Sequence, residues 1–215
     1  MDGFAFDPDG APTCTANLPN GCCKQVVDAA LSVGSQVATK GVGEKLAAKG
    51  FLILLGDSGR LLTSGMIGNP VPTKYNKYEG KTVCIQDVAS DDEAKRFVYP
   101  DFIIDGAMII DWATGKILGS GYTVTENMKN GSTKGGKKHT AASAASQSGP
   151  CVAIKCSEDS CGIDGEARGD FCVFLGTVEG VKVPVRSKNL VGDDDPPKAT
   201  VLVLVLFIIS LFIVL

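Results

Sequence analysis

The sequence predicts an α/β protein: a single globular domain with a central mixed sheet flanked by helices, plus a C-terminal transmembrane helix. Three observations predict it. Apolar runs of strand length, at Phe51–Leu55, Val152–Ile154 and Phe171–Leu175, alternate with stretches of helical period, and a hairpin lies among them. With 44% hydrophobic and 21% charged residues, the 215-residue chain has the composition of a folded domain, not of a disordered or low-complexity one. Residues 199–215 carry no charge, and their only polar side chains are Thr200 and Ser210.

The elements follow in chain order. From Cys23 to Ala48, the residues Val26, Val27, Ala30, Val33, Val37, Val42 and Leu46 recur near a 3.6 period. This predicts an amphipathic helix with a break around Gly41-Val42-Gly43. Phe51–Leu55 predicts a buried strand closed by the turn Gly56-Asp57-Ser58-Gly59, and Leu61–Asn69 a short helix stopped by Pro70 and Pro72. Ser90-Asp91-Asp92-Glu93 has the form of a capping box, so a helix is expected to open at Ser90 and end before Pro100. Phe102-Ile103-Ile104 predicts a strand running into the acidic step Asp105-Gly106-Ala107. Met108–Asp111, the turn Trp112–Gly115 and Lys116–Tyr122 predict a β-hairpin. A glycine- and lysine-rich loop, 130–138, leads into His139–Ser148, whose small residues suit a closely packed helix. No internal repeat interrupts this order.

The start of the chain has neither the basic nor the apolar region of a secretory signal, and residues 1–22 read as a flexible N-terminal arm. The domain is expected over 23–190. An acidic, proline-stiffened linker, 191–198, separates it from the apolar segment. As a helix, residues 199–215 would be about 25 Å long, close to the roughly 30 Å of a bilayer's hydrocarbon core. Lys182, Arg186, Lys188 and Lys198 precede it, which predicts a single-pass C-terminal anchor in the lipid bilayer with the domain on the cytosolic side. In that compartment the eight cysteines are expected to be reduced packing residues. Cys151, Cys156, Cys161 and Cys172 lack zinc-knuckle spacing, and in a strand Cys151 and Cys156 fall on opposite faces. One histidine excludes any site needing two, and a net charge of −3 argues against a nucleic-acid partner.

Three places could carry chemistry. Gly131-Ser132-Thr133-Lys134-Gly135-Gly136-Lys137-Lys138 nearly spells a phosphate loop, but Lys138 stands where the hydroxyl residue belongs. Exposed glycine amides, a following helix N-terminus, the lysines and His139 still suit an anionic guest. Taken alone, the composition of these residues favours a solvated lysine loop over an anion site. Asp105, followed by Gly106 and Ala107, would let a ligand or metal approach the backbone; taken alone, it is a turn aspartate. Glu158 and Asp159 form a third acidic step after Cys156.

In their order, Asp105-Gly106-Ala107, then Gly136-Lys137-Lys138-His139-Thr140-Ala141-Ala142, then Ser157-Glu158 resemble the signatures of the diadenylate cyclase domain family. The hairpin Ile109-Ile110-Asp111 through Gly119-Ser120-Gly121-Tyr122 and the upstream Leu54-Leu55-Gly56-Asp57-Ser58 extend the resemblance, which is closest to the archaeal branch and covers roughly 26–185. Lys138 and Thr140 stand where the family has arginines. Lysine keeps the charge but lacks the planar fork that meets phosphate twice.

The resemblance implies condensation of two ATP molecules into cyclic di-3′,5′-AMP, with release of two pyrophosphates, at the interface of a face-to-face homodimer. It implies Mg²⁺ or Mn²⁺ as cofactor, held by Asp105 and, more weakly, Glu158. Asp105, Gly106, Ala107, Lys138, His139 and Thr140 would be the catalytic residues. Leu118, Gly119, Tyr122, Gly136 and Ser157 would bind substrate. The alternative is a catalytically inactive, membrane-tethered protein that binds ATP or cyclic di-AMP.

Overall fold

The computed structural model describes residues 4–6, 11–40, 50–63, 67–70, 77–124, 137–148, 151–156, 171–175 and 181–182. They form β1 (Phe4–Phe6), β2 (Pro12–Cys14), α1 (Lys24–Lys40), β3 (Leu52–Gly56), α2 (Ser58–Thr63), β4 (Ile67–Pro70), α3 (Ile85–Ser90) and α4 (Asp92–Val98). A 3-10 turn (Tyr99–Ile103) leads to β5 (Ala107–Asp111), β6 (Ile117–Val124), α5 (Lys137–Ser148), β7 (Cys151–Lys155), β8 (Cys172–Leu175) and β9 (Val181–Lys182). β1 and β2 pair as a ribbon where a flexible arm was expected. Cys14 is buried there, and its amide donates to Asp28 Oδ1 of α1 at 2.7 Å.

The remaining strands make one mixed sheet in the order β4-β6-β5-β3-β7-β8-β9. β3 runs parallel to β5 and antiparallel to β7, and the other pairs are antiparallel. All five residues of β3 are buried, as a central strand covered on both faces requires. Its alternate side chains divide between two apolar layers. Ile53 and Leu55 join Met108, Ile110, Val152, Ile154 and Val173 against Val26, Val27, Ala30 and Val33 of α1. Leu52 and Leu54 join Ala107, Ile109, Ala153 and Phe174 against Ala142, Ala144 and Ala145 of α5. The small side chains of α5 let that helix lie close to the sheet, as its composition predicts.

Three local expectations are corrected. Ser90 does not open a helix. It closes α3, its hydroxyl donating to Gln86 O at 3.1 Å, while Asp91 caps α4 by accepting from the Ala94 amide at 2.7 Å. An aspartate one position later is as good a cap as the serine, so sequence could not choose between them. Leu61–Asn69 is not one helix: α2 ends at Thr63, and Ile67–Pro70 is an edge strand on β6, a place where proline is tolerated. Phe102-Ile103-Ile104 is not a strand, because Pro100 starts a 3-10 turn whose Phe102 ring packs edge-on against Phe51 at 5.2 Å. The acidic step at Asp105 therefore precedes strand β5 instead of following a strand.

Among the described residues the cysteines are free thiols. Cys151 and Cys156 face opposite layers, as their spacing predicts. Burial pushes the Cys151 thiol up to about 12, and burial with neighbouring thiols pushes Cys22 up to about 11, so neither is a thiolate at neutral pH. No helix among the described residues is long and apolar enough to cross a membrane, and the segment 199–215 lies outside them.

Candidate functional site

One rung of the sheet fixes the geometry. Tyr122 pairs with Ala107, Ala107 with Leu52, Leu52 with Lys155, and Lys155 with Cys172, across β6, β5, β3, β7 and β8. The acidic step Asp105-Gly106 enters the sheet just outside this rung. Asp105 is fully exposed. Its Oδ1 accepts from the Gly106 amide at 3.0 Å, which leaves the other oxygen turned to solvent. Gly106 is required by shape: its φ is +111°, and a Cβ there would lie 2.7 Å from the carbonyl carbon of Gly121 and 2.9 Å from the Tyr122 oxygen. The glycine seats the acid directly on the hairpin.

Helix α5 supplies the basic partner. Its antiparallel return into β7 puts its N-terminus at the same end of the sheet as Asp105. Lys138 Nζ lies 3.8 Å from Asp105 Oδ1, with the lysine side chain mostly buried. A long, half-solvated pair of this kind contributes little to stability. Its significance is positional: two residues 33 apart in sequence meet at the start of helix α5. His139, the next residue, turns the other way and packs edge-on against Phe174 at 5.1 Å. Thr140 is partly exposed in the same first turn.

The remaining expected residues divide. Ala107 and Tyr122 lie on the rung, buried on the α5 face, and burial raises the Tyr122 hydroxyl. Gly119 and Leu118 sit further into β6. The bare face of Gly119 is covered by the Tyr122 ring, whose Cε2 would be 2.9 Å from a Cβ, and Leu118 packs partly buried on the same face. Gly136, Ser157 and Glu158 lie outside the described residues. Asp105, Gly106, Ala107, Tyr122 and Lys138 are thus brought together, while Leu118 and Gly119 line the floor leading away from them.

A positioning residue that the sequence reading passed over is Asp101. It is buried, with Lys77 Nζ at 2.8 Å from Oδ1, and its Oδ2 accepts from Tyr78 Oη at 2.5 Å and from Ser120 Oγ at 3.0 Å. Burial and then the hydrogen bond to Asp101 push the Tyr78 hydroxyl far up. Ser120 lies between the glycines of β6, so this hub ties the 3-10 turn before Asp105 to the strand that supports Gly106. Following Pro100, Asp101 looks in sequence like an ordinary turn acid.

A divalent cation would find one exposed carboxylate here. That fits Mg²⁺, which keeps several waters and binds through one or two carboxylates together with substrate phosphates. No group of three or more potential metal ligands occurs among the described residues. A separate cavity of about 260 Å³, lined by Lys81, Val83, Asp87, Glu93 and Phe97, lies beside α3 and α4 and shares no residue with this site.

No family model matches the chain, and no curated protein matches it significantly. Among solved structures, a double mutant of DacA from Staphylococcus aureus is similar over 74% of this chain and 85% of that one, at 18% identity and a TM-score of 0.41. A likeness of that size bears on neither family nor chemistry.

Proposed function

We propose that the chain is a diadenylate cyclase that condenses two ATP molecules into cyclic di-3′,5′-AMP. The observation that carries this reading is the meeting of Asp105 and Lys138, 3.8 Å apart at the N-terminus of α5. These residues belong to two of the three ordered motifs that resemble the family, and they lie where an acid-bound cation and a phosphate would sit together. In the reaction each ribose 3′-oxygen forms a bond to the α-phosphorus of the other ATP. The bond from that phosphorus to its bridging oxygen breaks, and pyrophosphate leaves with the electron pair.

Each residue has a part in this. Asp105, with Glu158, would hold Mg²⁺ or Mn²⁺; the cation supplies charge neutralisation at the phosphates and acidifies the attacking hydroxyl. Asp105 takes up the hydroxyl proton. Gly106 and Ala107 give the substrate close access to the backbone. Lys138, His139 and Thr140, in the first turn of α5, offset charge on the departing pyrophosphate. Gly136 and Ser157 contact phosphate, and Leu118, Gly119 and Tyr122 line the adenine side. Two such sites facing each other in a homodimer bring the two ATP molecules into reacting geometry, so orientation supplies much of the rate. The segment 199–215 tethers the domain to a bilayer and concentrates it for dimerisation.

The test is incubation of the full chain with ATP and Mn²⁺, reading the cyclic product by mass, over a dilution series. Product whose yield per molecule falls on dilution is expected. Saturable ATP binding without product would leave the nucleotide-binding alternative in its place, and an active monomer would refute the shared site.

A further inference from the structure

We infer that Lys155 is a phosphate-binding residue of this site, gripping an anionic phosphate from the floor of the sheet while the first turn of α5 meets it from above. Alternation along β7 sends Val152, Ile154 and Cys156 to the α1 layer, and Cys151 and Ala153 to the α5 layer. Lys155 therefore shares the α5 face, and its rung neighbours Tyr122, Ala107, Leu52 and Cys172 all belong to that layer. The residue is 3% exposed, yet among the described residues its ammonium has no ion-pair or hydrogen-bond partner. Gln86 Oε1 is the one fully enclosed side-chain polar atom without a partner among the described residues, so the Lys155 ammonium keeps a contact with solvent, through which an anion can reach it. The apolar stem of Lys155 can run along Leu52 and Cys172 to bring the charged tip to the end of the strand.

Helix α5 independently points to the same guest. Its first turn contains no acidic residue and begins Lys137-Lys138-His139, the reverse of what the helix dipole favours in isolation. That turn overlies the Lys155 rung. His139 packs on Phe174, which pairs with Ala153 two residues inward, and Lys138 reaches Asp105 two residues before Ala107. The Lys155 ammonium below and a basic helix start above flank one position suited to an anion. That the anion is a nucleoside triphosphate's phosphate, and not another anion, rests on the function proposed above.

The experiment measures binding of ATP and of inorganic triphosphate to the full chain and to Lys155→Met, alongside the melting temperatures of both proteins without ligand. Methionine keeps the length and removes the charge. Affinity for both ligands is expected to fall about 10–100-fold, the value of a charged hydrogen bond, while the unliganded melting temperature holds because the ammonium has no partner among the described residues to lose. Lys155→Arg should recover part of the affinity. Unchanged affinity in the methionine variant overturns the inference, as does a lowered unliganded melting temperature, which would mean that Lys155 is paired within the fold. The cyclic-product assay keeps the two proposals apart. Lys155-dependent binding without product ends the cyclase reading alone. Product from a wild type whose methionine variant binds ATP equally well ends this inference alone.

Discussion

The two ends of strand β5 each carry an aspartate, and the structure treats them oppositely. At the far end, Asp111 accepts from Thr114 Oγ1 at 2.7 Å and from the Thr114 amide at 2.9 Å, closing the hairpin turn, and from the Ser58 amide at 3.4 Å at the start of α2. Burial alone would raise this carboxyl, but those hydrogen bonds outweigh it and hold the group below its ordinary value. At the near end, Asp105 has one bond to its neighbour's amide and a long contact to Lys138. One acid is spent on the fold and the other is available to a ligand. Chemistry at a sheet end requires such unused polar capacity, and the cost is carried by a buried hub, Asp101, that holds the step in place.

The sharpest way to break this contrast is Asp105→Asn. Product formation should fall about 10²–10⁴-fold, the range for loss of a positioned acid–base group, while the melting temperature stays that of wild type. A variant that turns over normally removes Asp105 from the site. Next in size is Asp101→Asn, which keeps the shape and loses the charge facing Lys77. Loss of the charged hydrogen bond should cost about 1.5–3 kcal/mol; the lower end is expected because Lys77 is 28% exposed and partly screened. Denaturant melts read this directly, and unchanged stability would mean that the hub does not anchor the step.

Gly106→Ala comes third. Forcing a side chain to φ +111° against the backbone of Gly121 should cost about 1–2 kcal/mol, and by moving Asp105 it should also weaken turnover beyond what that instability explains. The smallest effect is that of Asp111→Asn, visible only in the pH profile. A depressed carboxyl contributes stability that is fully present above its unfolded value of about 3.9 and is lost as pH falls through the lower folded value. The stability gap between wild type and the asparagine variant should therefore be constant at neutral pH and close below about pH 4. A gap that persists in strong acid would show that the carboxylate form is not what the turn uses.

Local chemistry made much of this legible from sequence. The period of α1, the five-residue apolar run of β3, the Trp112–Gly115 hairpin turn and the small residues of α5 are signals complete within their own segments, and each led to the element observed. The order of the acidic and basic steps was also legible, since it is a property of the chain. Where neighbouring residues offered equivalent choices, as at Ser90 and Asp91 or along Phe102–Ile104, the sequence was ambiguous and packing against Phe51 or capping geometry decided.

What only the tertiary structure decided is which of the polar residues are used up. Asp101 and Lys155 look like surface residues in sequence, yet one is buried with three partners and the other is buried among apolar neighbours with none of its own among the described residues. Asp105 and Asp111 are indistinguishable as letters six positions apart, and they differ through Ser58, Thr114 and Lys138. Two of those partners, Ser58 and Lys138, reach them only after β3 and β5 pair and α5 folds back over the sheet. Burial and pairing are sums over distant segments, and a strand's own residues do not contain them.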